Sequence, residues 1–233
     1  MKLFTPKPTV CRMTLRSLAH LLRYPDSNFL LHIEDMRKAV RTEASLSMDR
    51  QAELDALFQH LAQARRLDVE AAYVDLFDRG RQTALHLFEH VHGDSRDRGP
   101  AMIDLIQTYE KAGLYLGDDE LPDYLPVLLE FASTQAPEQA REFLAEFAHI
   151  VRVIFSALLD RHSPYASVLA AVLELAGETV EAVPVVPEPA LDESWSEPEV
   201  FGGCSVAGQA KPGQSQPIHF SPRTPSSLQG ARA

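Results

Sequence analysis

Cysteine is nearly absent from this chain: 233 residues hold two, Cys11 and Cys204. A chain so long and so poor in cysteine is no disulfide-stapled miniprotein, and two thiols without metal-ligand spacing point to a reducing compartment. Long apolar runs are missing as well. The most apolar stretch, Val151 to Leu159, contains Arg152 and falls far short of the ~20 residues that cross a bilayer. Near the N-terminus, Lys7, Arg12, Arg16 and two prolines interrupt what would have to be the continuous apolar core of a secretion signal. A soluble, cytoplasmic protein without stable membrane insertion is expected. Basic charge is also short: 22 Lys and Arg stand against 33 Asp and Glu, a formal charge of −11. Nonspecific nucleic-acid binding draws its affinity from neutralised phosphates and is excluded, while a basic partner is favoured. Neither a phosphate loop nor a strand-associated dinucleotide fingerprint nor a nucleophile elbow occurs, so no enzyme class announces itself.

What is present is an ordinary globular composition, 45% apolar and 24% charged. It changes near Val183, after which eight of the sixteen prolines fall. Residues 1–183 are expected to form one all-α domain, and residues 184–233 a Pro/Gly/Ser-rich, mostly disordered tail that buries too little to offset its ordering entropy. Within that tail Trp195, Val200 and Phe201 form an apolar cluster able to dock on the body or on a partner. The body reads as helix after helix. Thr14 is the expected N-cap of the first, with Leu15, Leu18, Ala19 and Leu22 on one face. Further helices are expected from Phe29 to Arg41, from about Asp49, after Asp68 as a cap, and from Thr83 to His92. Pro100 to Ala112, about Tyr124 to Ala132, Pro137 to Asp160 and Pro164 to Leu175 follow. Pro126 fits only a first turn, where amides lack intrahelical acceptors, which makes Asp123 the expected N-cap there. No strand-rich runs and no fixed repeat are found, so a compact multi-helix bundle is the expected architecture.

Three clusters are candidates for chemistry. On a helix beginning at Thr83, His86, Glu89 and His90 would share a face at i, i+3 and i+4, and with His92 nearby they could meet a metal ion. The zincin pattern, however, needs the carboxylate directly after the first histidine, and an exposed or partner-facing polar side accounts for the same residues. Asp75, Asp78, Arg79 and Arg81 precede that helix, and Asp94, Arg96, Asp97 and Arg98 follow it. A salt-bridge network pinning two loops is their plain structural role. Asp118, Asp119, Glu120 and Asp123 concentrate carboxylates that would cap, solubilise, or attract a cationic peptide.

The run YVDLFDRGRQTALHLFEHVHGDSRDRGPAMIDLIQTYEKAGL with ELPDYLPVLLEF, residues 73–131, resembles the signature of the NarJ-type nitrate reductase assembly chaperones, the nitrate reductase delta subunit family. LLRYPD at 21–26 and the W-x-E-P-x-V-F run at 195–201 are similar to it too. ELPDYL also resembles the E-x-P-D-H motif of the wider redox-enzyme maturation chaperones, with Tyr124 in place of the histidine. The resemblance implies an all-α chaperone of that fold, with no catalysis and no resident cofactor. Its partner would be the apo catalytic α subunit of membrane-bound respiratory nitrate reductase, bound partly through its N-terminal segment. It would hold that subunit ready for molybdenum cofactor insertion and assembly with the membrane subunit. Proteins of molybdenum cofactor biosynthesis are further implied partners. The peptide-binding residues it implies are Tyr73, Phe77, Asp78, Arg79, Arg81, His86, Glu89, His90, Glu120, Asp123 and Tyr124. Tyr73 and Phe77, i and i+4, read equally well as core.

Overall fold

The computed structural model describes residues 11–93, 95–117 and 120–185. Expectations for Asp94, Asp118, Asp119 and the segment from residue 186 on, including Trp195, Val200 and Phe201, lie outside the described residues. Nine α-helices run through the described residues, with no strand among them: α1 Arg12–Leu21, α2 Ser27–Glu43, α3 Met48–Gln63, α4 Arg66–Tyr73, α5 Leu87–His92, α6 Arg98–Lys111, α7 Leu125–Thr134, α8 Pro137–Asp160 and α9 Ala166–Ala176. The expected all-α bundle is what forms. None of these helices is long and apolar enough to cross a membrane.

The centre is α9. Ala166, Val168, Leu169, Ala170, Ala171, Val172, Leu173 and Ala176 are all buried, so the helix is apolar around most of its circumference, as an interior helix must be. It folds back along α8, whose Arg141 Nε donates to the Ala176 carbonyl at 3.4 Å, near the end of α9. Gly177 closes α9 in the left-handed region, φ +77°, where the Arg141 guanidinium also crowds the space a Cβ would need. Around this pair, α1 packs on α2 and α7, α2 on α3, and α3 on α9. Asp55 of α3 accepts from Arg37 Nε at 2.9 Å and from Arg41, both on α2. Those hydrogen bonds, Arg37 first, hold its carboxyl below the usual carboxylate range.

Outside the helix expected from Thr83 to His92, helix positions lie near those expected, but three caps do not. Thr14 lies inside α1, fully buried, and its hydroxyl accepts from Ser45 Oγ at 2.9 Å. The orphan amides of that helix are met instead by Glu43, whose carboxylate accepts from Met13 N at 3.0 Å and Thr14 N at 2.6 Å. Asp68 lies in the first turn of α4, past the cap, and its carboxylate pairs with Arg65, the residue at the cap. Tyr124, not Asp123, is the cap residue of α7. At α1 a carboxylate from another helix, and at α7 the Leu85 backbone carbonyl, met amides that local sequence alone assigned to a neighbouring side chain.

Candidate functional site

The helix expected from Thr83 to His92 is broken. After α4 the chain widens into a π turn over Val74–Asp78, closed by Arg79 N donating to the Val74 carbonyl at 3.1 Å. It then tightens into a 3₁₀ turn at Arg81–Thr83. Gly80 joins the two because a Cβ there would run into the Thr83 hydroxyl and lie 2.9 Å from the Arg161 guanidinium. Residues 84–86 are not helical, and His86, in extended backbone, forms an isolated antiparallel bridge with Tyr124. Leu125 N donates to the Leu85 carbonyl at 2.9 Å, and Leu87 N to the Asp123 carbonyl at 3.0 Å. Only then does α5 begin. This break explains why an i, i+3, i+4 reading failed: His86 is a cap in extended backbone, not a helical neighbour of Glu89 and His90.

Asp123 is fully buried. One carboxylate oxygen accepts from Phe88 N at 3.1 Å, so this residue caps α5 rather than the helix that follows it in sequence. The other oxygen and His86 Nδ1 lie 3.5 Å apart, both buried and neither hydrogen-bonded. Arg98 at the start of α6 reaches Asp123 at 3.7 Å and Glu89 at 3.4 Å, partners outside the set of charges expected to pin the two loops.

The bend folds Tyr73, Phe77, Asp78, Arg81, His86, Glu89 and Tyr124 around one cavity of about 390 Å³. Its floor is aromatic. Tyr73 and Phe77 are buried, with rings 4.9 Å apart, and Phe77 meets Tyr165 edge-on at 5.2 Å. His86 stacks on Tyr124 at 5.0 Å. The Tyr73 hydroxyl donates to the Leu22 carbonyl at 2.8 Å and lies 3.4 Å from that of Tyr124. Burial pushes Tyr73 far above the ordinary phenol range, with the Tyr124 neighbour adding to it. It raises Tyr124 too, against an opposing hydrogen bond from Tyr73. Both hydroxyls are therefore neutral at physiological pH. Asp78, Arg81 and Glu89 are exposed at the rim.

Four of the eleven residues implied by the resemblance do not line this cavity. Arg79 is exposed and pairs with Asp75 at 3.6 Å. His90 Nε2 lies 2.8 Å from the Ala84 carbonyl and so ties the bend to α5. Asp123 supports from behind. Glu120 pairs with Arg23 at 2.8 Å on a neighbouring face. The metal reading is overturned by geometry: His86 turns to Tyr124 and Asp123, His90 to a backbone carbonyl, and Glu89 to Arg98. Among the described residues no three His, Cys, Asp or Glu side chains are arranged to hold a metal ion. Cys11 has no reactive setting either, since burial, with Glu43 beside it, pushes its thiol up to about 11.

Residues 43–171 match the family model described as nitrate reductase delta subunit. The chain belongs to that family. Among curated relatives of this delta subunit protein is the nitrate reductase molybdenum cofactor assembly chaperone NarJ of Escherichia coli. It is 37% identical over 193 residues, 78% of this chain and 82% of the relative. NarW of the same organism is 39% identical over 197 residues, 80% of this chain and 82% of its own length. NarJ of Bacillus subtilis is 32% identical over 175 residues, 73% of this chain and 94% of that one. These relatives are named as assembly chaperones, not as catalysts. A solved structure described as a redox enzyme maturation protein from Archaeoglobus fulgidus shares the fold, with a TM-score of 0.51 at 20% identity, covering 76% of this chain and all of that one.

Proposed function

We propose that this delta subunit protein is a cytoplasmic, client-specific chaperone. It binds the apo catalytic α subunit of respiratory nitrate reductase, including its N-terminal segment, and keeps that subunit open for molybdenum cofactor insertion before assembly with the membrane subunit. Proteins of molybdenum cofactor biosynthesis are its further partners, and residues 1–183 act as the chaperone domain with 184–233 as its tail. The observation that carries the reading is the aromatic-floored cavity of about 390 Å³ with Asp78 and Glu89 at its rim, in a chain with 33 acidic against 22 basic residues. Such a surface suits an amphipathic cationic helix. Apolar side chains enter the groove while the carboxylates pair with Arg or Lys, and the pairing draws the segment in faster at low salt.

Calorimetric titration of the full chain with a synthetic peptide covering the N-terminal segment of the α subunit tests this. Binding that weakens with salt is expected, and Arg81→Ala, at the cavity rim, changes the affinity while Arg79→Ala, outside it, does not. No binding at low salt to either the peptide or the apo-subunit overturns the reading.

A further inference from the structure

Two more cavities lie beside this one, and one arginine stands where they approach each other. The first, about 410 Å³, is lined by Tyr109, Val127 and Phe131, together with Glu120, Glu130 and Arg16. The second, about 570 Å³, is lined by Tyr24, Phe29, Met36 and Arg23. His20 lines both, and Tyr124 lines the second as well as the cavity around Tyr73. Arg23, just beyond the end of α1, places a single guanidinium nitrogen 2.8 Å from Glu120 and 3.2 Å from Glu130. Its Nε is buried without a hydrogen-bond partner. The three side chains are 34%, 38% and 42% exposed. One nitrogen thus serves two carboxylates while another N–H of the same group goes unmet. A cation seated this way, among half-exposed partners, is weakly held and exchanges readily for another.

We propose that Arg23 is an internal stand-in for a cation of the client, and thereby a specificity-determining residue. An arginine or lysine of the incoming amphipathic segment takes its place on Glu120 and Glu130, while apolar neighbours of that residue enter the two cavities. This rests on the functional reading above. The occupant is named by charge complementarity, because the chain already shows which group fits the seat. Exchange conserves the number of ion pairs, so the seat adds little net affinity but selects for charge: a neutral segment leaves Arg23 where it is.

The test titrates the full-length wild type and Arg23→Met with a synthetic peptide covering the N-terminal segment of the nitrate reductase α subunit, and with the same peptide carrying Gln for every Arg and Lys. With Arg23 gone the two carboxylates lose the cation that pairs with both of them, and the variant binds the native peptide roughly three- to tenfold tighter at low salt. That gain vanishes as salt rises, is absent with the glutamine peptide, and is cancelled by adding Glu130→Gln. Unfolding midpoints are measured alongside, and Arg23→Gln replaces the methionine variant if that one does not fold. Equal or weaker binding of the native peptide by the folded variant overturns the exchange and leaves the chaperone reading standing. Wild type and variants that all fail to bind at low salt overturn both.

Discussion

The α8–α9 pair and the segment from Tyr73 to His92 solve the backbone problem in opposite ways. Regular helix runs through Pro137–Asp160 and Ala166–Ala176, so those residues satisfy most of their own amides and carbonyls and are left to pack apolar side chains. The other segment passes from α through π and 3₁₀ to an extended bridge and back to α. Each change orphans backbone groups that need other partners: Asp123 for the Phe88 amide, the Leu125 amide for the Leu85 carbonyl and the Thr83 hydroxyl for the Gly80 carbonyl. The irregular region therefore depends on a few polar contacts, and gains from them a bend that brings Tyr73, Phe77, Asp78, Arg81, His86 and Glu89 to one cavity. The regular pair supplies much of the buried apolar packing, and the irregular segment supplies the cavity proposed to receive the client.

The largest effect separating the two is expected in the core. Leu169→Ala, at a fully buried position, lowers global stability by about 3–4 kcal/mol, read by denaturant unfolding, with amide exchange accelerated throughout. Asp123→Ala is expected to cost less, about 2–3 kcal/mol, because it strands the Phe88 amide and removes a buried charged acceptor. Its signature is local, with exchange rising in α5 and residues 84–86 while α8 and α9 stay protected, and Asp123→Asn restores most of the loss. A global loss as large as that of Leu169→Ala, with no local change in exchange, would break the distinction. The smallest effect concerns neither region and calibrates both. Asp55 has its folded pKa held below its unfolded value, so its contribution is present above the ordinary carboxylate value of about 3.9 and is lost as pH falls through the lower folded value. Asp55→Asn should cost no more than about 1 kcal/mol at neutral pH. Thermal melts of variant and wild type should converge as pH falls below that lowered folded value.

Much of this was legible in the chain itself. Apolar spacing located α2, α3 and α6 to within a few residues, and α8 is bounded as its flanking residues predicted, because long amphipathic periods leave little choice of backbone. The aromatic pair Tyr73 and Phe77 was open between core and groove, and it is both: buried, yet forming the floor of a cavity. Arg23 was not singled out. It sits in the LLRYPD run, the one available signal, but Glu120 lies 97 residues away and no spacing rule reaches that far.

Composition and periodicity determined that the protein is helical, acidic and without a membrane-crossing helix among its described residues, since each of those properties is summed over many side chains and tolerates local exceptions. Tertiary structure alone decided which caps are used, where the Thr83–His92 helix breaks, and which carboxylate faces which cation. Those outcomes hang on single polar groups, and a buried amide or carboxylate takes whatever partner the fold brings within about 3 Å, however distant in the chain.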